Sequence, residues 1–296
     1  MTGHLRADVI RLFGRWDVRG FLLVVPLLAV GGYLMSYAMV PGHYPADTGQ
    51  PDQSWIASAI ATERSAYAFP ASLVAVSGNA PWLLFCLFFL ASETMGLEFA
   101  WSTVKTSLIS SPSRLRFVVS RLLVIGAIGF VSLVLLLVAA VVMPALMSIA
   151  GAGLPPSRPT DVVVIVGTVV ALALASAFFI VVGVFLGVIT RGPALPLVFL
   201  VADFIVEGVI AGLPLAREAG LGLLAGSLPI MSVINLISGA QDPRSYGLPP
   251  VLSDAPGAPS LFADRPLALS FLVVAVWAAV FLAASVWQLR RADVLE

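Results

Sequence analysis

Long apolar runs alternate with short polar segments along most of this chain. Six runs reach or approach the roughly 20 residues that a helix needs to cross a bilayer. They cover residues 20–40, 73–95, 117–147, 162–189, 194–213 and 267–287. In lipid, only helices and closed barrels pair their own backbone polar groups, and runs this long and uniformly apolar are not barrel strands. The pattern therefore predicts an all-α integral membrane protein with six transmembrane helices.

The amino-acid composition also indicates a membrane protein, and it excludes several kinds of site. Of the 296 residues, 59% are hydrophobic and 11% are charged, whereas a soluble domain carries about 25% charged residues. The single cysteine, Cys86, excludes a disulfide within the chain, and both histidines, His4 and His43, lie outside the spans. We therefore expect no intramembrane metal or haem site, because such sites need several ligands in register.

Basic residues indicate which side of the membrane each loop occupies. With a cytoplasmic N-terminus, eleven lie on the cytoplasmic side and five on the outer side. The cytoplasmic set is Arg6, Arg11, Arg15, Arg19, Lys105, Arg114, Arg116, Arg121, Arg191, Arg290 and Arg291, and the outer set is Arg64, Arg158, Arg217, Arg244 and Arg265. By the positive-inside rule, both termini are predicted to be cytoplasmic in a multi-pass protein of the plasma membrane.

The N-terminal residues 1–19 have an amphipathic pattern. One helical face would carry Leu5, Val9, Leu12, Phe13 and Trp16, and roughly the opposite face Asp8, Arg11, Arg15 and Arg19. An arginine-rich face opposite aromatic residues suits a helix lying in the headgroup plane. We expect a cytoplasmic interfacial helix over 1–19 ahead of a permease domain over 20–296. This helix would dock a cytoplasmic partner, position the first span, or serve only as a topology anchor.

The outer segments are unequal in length and character. A helical stretch is expected near 55–67. The segment over 214–266 is longer, and its part over 221–237 is apolar but interrupted by Pro229. It is too short to cross the membrane twice, so it predicts an interfacial or re-entrant helix pair before the last span.

The cytoplasmic loop after the second span carries the most specific pattern. A short helix is expected over 101–110, with Glu98 near its start, where the helix dipole favours a carboxylate. Pro112 stops this helix. The only lysine of the chain, Lys105, lies here, and Arg114 leads back into the membrane.

This loop resembles the first cytoplasmic loop of ABC-2 type transporter permeases, the membrane subunits of ABC exporters. The similarity is carried by Glu98-Phe99-Ala100-Trp101-Ser102-Thr103-Val104-Lys105 and Ser111-Pro112-Ser113-Arg114. The family has a Glu, an aromatic residue, a Thr, a basic residue and then a Pro or small residue with Arg at this spacing. It often has Gly where Ser102 stands. The six-span layout, the long outer segment and the basic C-terminal tail also fit the family across nearly the whole chain.

The resemblance implies a coupling helix that sits in a cleft of a separate ATP-binding cassette ATPase subunit. The contacts it implies are Glu98, Trp101, Thr103, Lys105, Pro112 and Arg114. ATP and Mg²⁺ would bind to the partner, since this chain has no GxxxxGK[ST] loop and is not expected to be an enzyme. A second permease copy, identical or related, is implied as well. Alternatively, Lys105 and the arginines only set topology while Glu98 caps a helix.

Three carboxylates lie in or near the spans. Asp203 and Glu207 are four residues apart in the fifth span, and Glu93 is at the cytoplasmic end of the second. A charged carboxylate at mid-bilayer costs about 2–3 kcal/mol on insertion scales. Asp203 and Glu207 would line a pathway, lie at a dimer seam or relay protons, or simply bond to polar neighbours. Two glycine pairs, at 183/187 and 208/212, are interpreted as packing motifs.

These observations favour a permease subunit of an ATP-driven exporter. The alternatives are a proton-coupled secondary carrier using Asp203 and Glu207, or a membrane partner without transport activity. An intramembrane protease is disfavoured because the spans contain no histidine. Lipid is the expected surrounding, and nothing predicts a nucleic-acid partner.

Overall fold

A computed structural model describes residues 14, 16–43, 53–65, 67, 72, 80–100, 114–149, 162–192, 194–212, 226–241 and 267–291. Within these ranges the regular elements are helical. They are α1 (Trp16–Met39), a 3₁₀ turn (Val40–His43), α2 (Gln53–Ser65), α3 (Ala80–Ala100), α4 (Arg114–Ile149), α5 (Val162–Thr190), α6 (Leu195–Gly212), α7 (Pro229–Gln241) and α8 (Leu267–Arg291).

Five of the described helices are long and apolar enough to cross a membrane. They contain the segments Val18–Met39, Pro81–Phe99, Phe117–Ile149, Val163–Thr190 and Leu267–Leu289. The prediction of an all-α, multi-pass membrane protein is therefore confirmed. The remaining predicted span, 194–213, corresponds to the 18-residue helix α6, and its crossing of the membrane stays a prediction.

The helix surfaces support the same conclusion. Large apolar side chains are exposed on α1, α4, α6 and α8, among them Leu27 at 68%, Phe130 at 67%, Val198 at 63% and Leu272 at 60% of their surface. In water, contiguous apolar surfaces of this kind are rare on a folded protein. Here they provide the lipid-facing perimeter of the helix bundle.

Helices α3 and α5 form the centre of the bundle, and both contribute to its two clusters of buried side chains. One cluster joins them to α1 and α4, with Tyr33, Leu87 and Ile125 among its members. The other joins them to α7 and α8, with Phe178 and Leu236 among its members. This placement means that a displacement of α3 or α5 affects both halves of the core.

Two glycines allow α3 and α5 to approach closely. A Cβ atom at Gly183 would lie 2.5 Å from the carbonyl oxygen of Phe88 and 2.9 Å from Cβ of Ala91. At Gly187 it would lie 2.7 Å from the carbonyl oxygen of Ser92. The 183/187 pair is thus a packing motif, as predicted. Gly208 differs, because a Cβ there would meet nothing within 4 Å.

Among the helices that the structure describes, α7 is both short and largely buried. Its 13 residues extend about 20 Å at 1.5 Å per residue, less than the ~30 Å hydrocarbon core. Its buried residues include Ile230, Val233 and Leu236, so it packs within the bundle. This agrees with a non-spanning helix before the last span. The first member of the predicted pair falls outside the described residues.

Helix α2 agrees with the helix expected near 55–67, and the adjoining residue Tyr67 packs against α1. The Tyr33 hydroxyl donates a hydrogen bond to the carbonyl oxygen of Tyr67 at 2.6 Å. The Arg64 guanidinium lies over the Tyr37 ring, 5.1 Å from its centroid. The end of α2 and Tyr67 are therefore folded onto α1.

The predicted N-terminal helix lies mostly outside the described residues, including Arg11 and Arg15. Trp16 and Arg19 are in the first turn of α1 and continuous with the spanning helix. Trp16 is 85% exposed, which suits a position at the membrane interface.

Candidate functional site

The predicted coupling loop connects the end of α3 to the start of α4. Its central residues 101–113 are outside the described part of the chain, so Trp101, Thr103, Lys105 and Pro112 keep the roles predicted for them. Arg114 is the first residue of α4, and only its backbone position is described. The structure therefore defines the two helix ends that hold the loop.

Glu98 and Arg121 join those two helix ends. The Glu98 carboxylate forms an ion pair with the Arg121 guanidinium, and the two residues are only 8% and 2% exposed. Glu98 is in the last turn of α3, whereas Arg121 is seven residues into α4. From the sequence, Glu98 was expected to contact an ATPase and Arg121 to set topology. In the structure each of the two residues has the other as a partner within the chain.

The surroundings of this pair are apolar. The Arg121 guanidinium lies 5.5 Å from the centroid of the Phe117 ring. Phe117 and Val118 are buried and belong to the cluster shared by α1, α3, α4 and α5. Breaking a buried pair by removing one partner costs about 3–5 kcal/mol, because the other charge stays buried and uncompensated. The pair therefore fixes the relative position of α3 and α4 at the base of the loop.

A second polar site lies where α6 meets α7. Glu207 is 2% exposed, and its Oε2 accepts a hydrogen bond from the Met231 backbone N–H at 2.8 Å. The Ile230 N–H also bonds to this carboxylate. Helix α7 begins with Pro229, so these amides belong to its first turn, where backbone donors lack partners within the helix. Glu207 thus caps a neighbouring helix with a charge that the helix dipole favours.

The turn before α7 is fixed by side chains from two helices. Ser232 Oγ and Asn235 Nδ2 donate hydrogen bonds to the Gly226 carbonyl oxygen at 3.1 and 3.3 Å. Trp277 Nε1, on α8, donates to the Ser227 carbonyl oxygen at 2.8 Å. Irregular backbone at membrane depth needs protein partners of this kind. The entry into α7 is therefore tied to both α6 and α8.

Two other carboxylates, Asp203 and Glu93, lie on α6 and α3. Asp203 is exposed, and Glu93 is half-buried, seven residues before the end of α3. Asp203 and Glu207 share one helix but differ in burial, since Asp203 is exposed and Glu207 is 2% exposed. Within the described ranges, no three His, Cys, Asp or Glu side chains are grouped as metal ligands.

Comparison of the chain with protein-family models, curated proteins and solved structures finds no match.

Sequence reasoning missed both pairings, although each left a signal. Arg121 is an arginine one turn inside an apolar run, where an acidic partner is expected. Pro229 is at the first position of α7, where proline is favoured and where unpaired amides follow. Neither signal identifies which residue supplies the partner.

Proposed function

We propose that this chain is the membrane-spanning permease subunit of an ATP-driven transporter of the ABC-2 type, working as an exporter. The observation that carries the proposal is the loop 96–114. It has the residue pattern of a coupling loop, and the helices on both sides of it are joined by a buried ion pair. A loop with a rigid base suits the transfer of movement from a partner into the membrane.

ATP hydrolysis takes place in a separate ATP-binding cassette subunit, which binds ATP and Mg²⁺. The loop residues Trp101, Thr103, Lys105, Pro112 and Arg114 form the docking surface for that subunit. A second permease, identical or related, completes the transport pathway. The assembly lies in the plasma membrane with both termini of this chain in the cytoplasm.

Isolation of the full-length tagged chain from its native membranes tests this function. We expect an ATP-binding cassette ATPase to copurify. The double variant Lys105→Ala/Arg114→Ala should retain little of it, because two cationic contacts are removed from the loop. The matched control Arg64→Ala removes a cation from the predicted outer side and should retain the wild-type amount. Equal recovery of the ATPase with both variants would contradict the docking surface, and its absence from the wild type would contradict the function.

The proposed topology gives a separate expected result. In a Cys86→Ala background, single cysteines placed at Thr2 and at Glu296 should react with a membrane-impermeant maleimide only after the membrane is opened. A cysteine at Ser260, in the predicted outer loop, should react in intact cells or spheroplasts. Labelling of either terminal cysteine in intact cells would contradict the proposed six-span topology with cytoplasmic termini.

The carboxylates of α6 favour a second candidate, a proton-coupled carrier. Asp203 and Glu207 lie near the middle and in the second half of an apolar helix, and protonatable groups at such depth are typical of proton relays. Liposomes containing this chain alone distinguish the two candidates. Substrate movement driven by a pH gradient, abolished in Asp203→Asn, would favour the carrier over the ATP-driven permease.

A further inference from the structure

The ion pair at the base of the loop has a more specific role than docking. We propose that Glu98 and Arg121 form a positioning clamp, which makes the cytoplasmic ends of α3 and α4 move as one unit when the loop between them is displaced. This inference rests on the proposed function and assigns Glu98 a role different from that of an ATPase contact.

Burial is the first reason. Glu98 is only 8% exposed, and its carboxylate faces the Arg121 guanidinium. A docked ATPase could reach this carboxylate only if the pair opened, which would separate two buried, oppositely charged groups at a cost in free energy. Among the residues that resemble a coupling loop, Glu98 therefore acts through Arg121 and not through the partner.

The positions of the two residues along their helices are the second reason. Glu98 is two residues before the end of α3, whereas seven residues of α4 precede Arg121. Those seven residues make about two turns of helix on the loop side of the clamp, or roughly 10 Å at 1.5 Å per residue. When the loop is displaced, these seven residues would turn about the ion pair.

The packing of α3 explains how movement would travel further. Gly187 of α5 lies against the backbone of Ser92 and against Met95, within two turns of Glu98. This close approach of the two backbones couples the position of α3 to that of α5. A displacement of the loop would therefore pass through the clamp to α3 and α4, and through the glycine contact to α5.

A charge-swap series tests the clamp. The variants are Glu98→Gln, Arg121→Gln and the swap Glu98→Arg/Arg121→Glu, with Arg121→Lys as a conservative change and Arg291→Gln as a charge-removal control on the same predicted side. Two readouts are taken on full-length protein with Cys86→Ala. One is the amount of ATPase that copurifies. The other is the distance distribution between spin labels at exposed positions 89 on α3 and 123 on α4, with and without ATP.

The clamp predicts a specific combination of results. The two glutamine variants should retain the wild-type amount of ATPase but show a broadened label distance that no longer shifts with ATP. The swap and Arg121→Lys should restore a narrow distribution and the shift, and Arg291→Gln should behave as wild type. A merely structural role would change protein recovery without this split between docking and response.

The opposite results overturn the inference. Loss of the ATPase in Glu98→Gln with no rescue by the swap would identify Glu98 as a docking contact. An unchanged distance distribution in both glutamine variants would show that α3 and α4 do not need the pair. If no ATPase copurifies with the wild type, the proposed function fails, yet the ATP-free label distances still support or overturn the clamp. If the glutamine variants do not fold, failure of Arg121→Lys or of the swap to give a narrow distribution decides against it.

Discussion

Alanine at Gly187 or Gly183 is expected to disrupt the bundle at its centre. The added methyl carbon would lie 2.7 Å from the Ser92 carbonyl oxygen in the first case, and 2.5 Å from that of Phe88 in the second. Both neighbours are helix backbone and cannot rotate away, so α3 and α5 must separate. Overpacking typically costs about 1–3 kcal/mol, and contact with backbone places these sites at the upper end. The double variant should be largely lost from the monodisperse fraction in detergent.

Gly208→Ala is the matched control, since it also alters a glycine of a Gly-x-x-x-Gly pair. A Cβ there meets nothing within 4 Å, and alanine is favoured over glycine within a helix by up to about 1 kcal/mol. Thermal unfolding followed by size-exclusion chromatography should show a lowered transition for Gly183→Ala and Gly187→Ala, and no loss for Gly208→Ala. Equal transitions for Gly187→Ala and Gly208→Ala would refute the close approach of α3 and α5.

Replacement of Glu207 by leucine is expected to release the start of α7. The Met231 N–H would lose its acceptor at 2.8 Å, and an unpaired buried donor costs about 1–3 kcal/mol. Glu207→Gln keeps an acceptor oxygen but loses the charge that complements the helix dipole, so it should be intermediate. A cysteine at Ile234, an exposed position on α7, should become more reactive in the order wild type, glutamine, leucine.

Asp203→Leu is the corresponding control on the same helix. Asp203 is exposed and outside the cap of α7, so its loss should leave the reactivity at position 234 unchanged. Removing its charge from an apolar helix should also not reduce thermal stability. A larger effect of Asp203→Leu than of Glu207→Leu on α7 would show that the cap is not what holds this helix.

Much of the architecture was predictable from the pattern of apolar runs. The lengths of the helices around 20–40, 117–147, 162–189 and 267–287 follow from the need to match the bilayer and to pair every backbone group internally. The end of helix α3 was not predictable in this way. The predicted span ended at 95, yet the helix continues to Ala100, and the carboxylate in its last turn, Glu98, has a buried partner.

Local composition and the length of the apolar runs are enough to establish that this protein crosses the membrane several times. The sequence also located the loop 96–114, whose motif is contiguous. Which glycines pack closely and which charged side chains find partners depends on how the helices come together. The tertiary structure separated a glycine pair that packs, 183/187, from one with open space at Gly208, and it joined Glu98 to Arg121 and Glu207 to the start of α7. These pairings depend on which faces of helices that are distant in sequence meet. The spacing of residues along one helix does not specify which helix lies beside it.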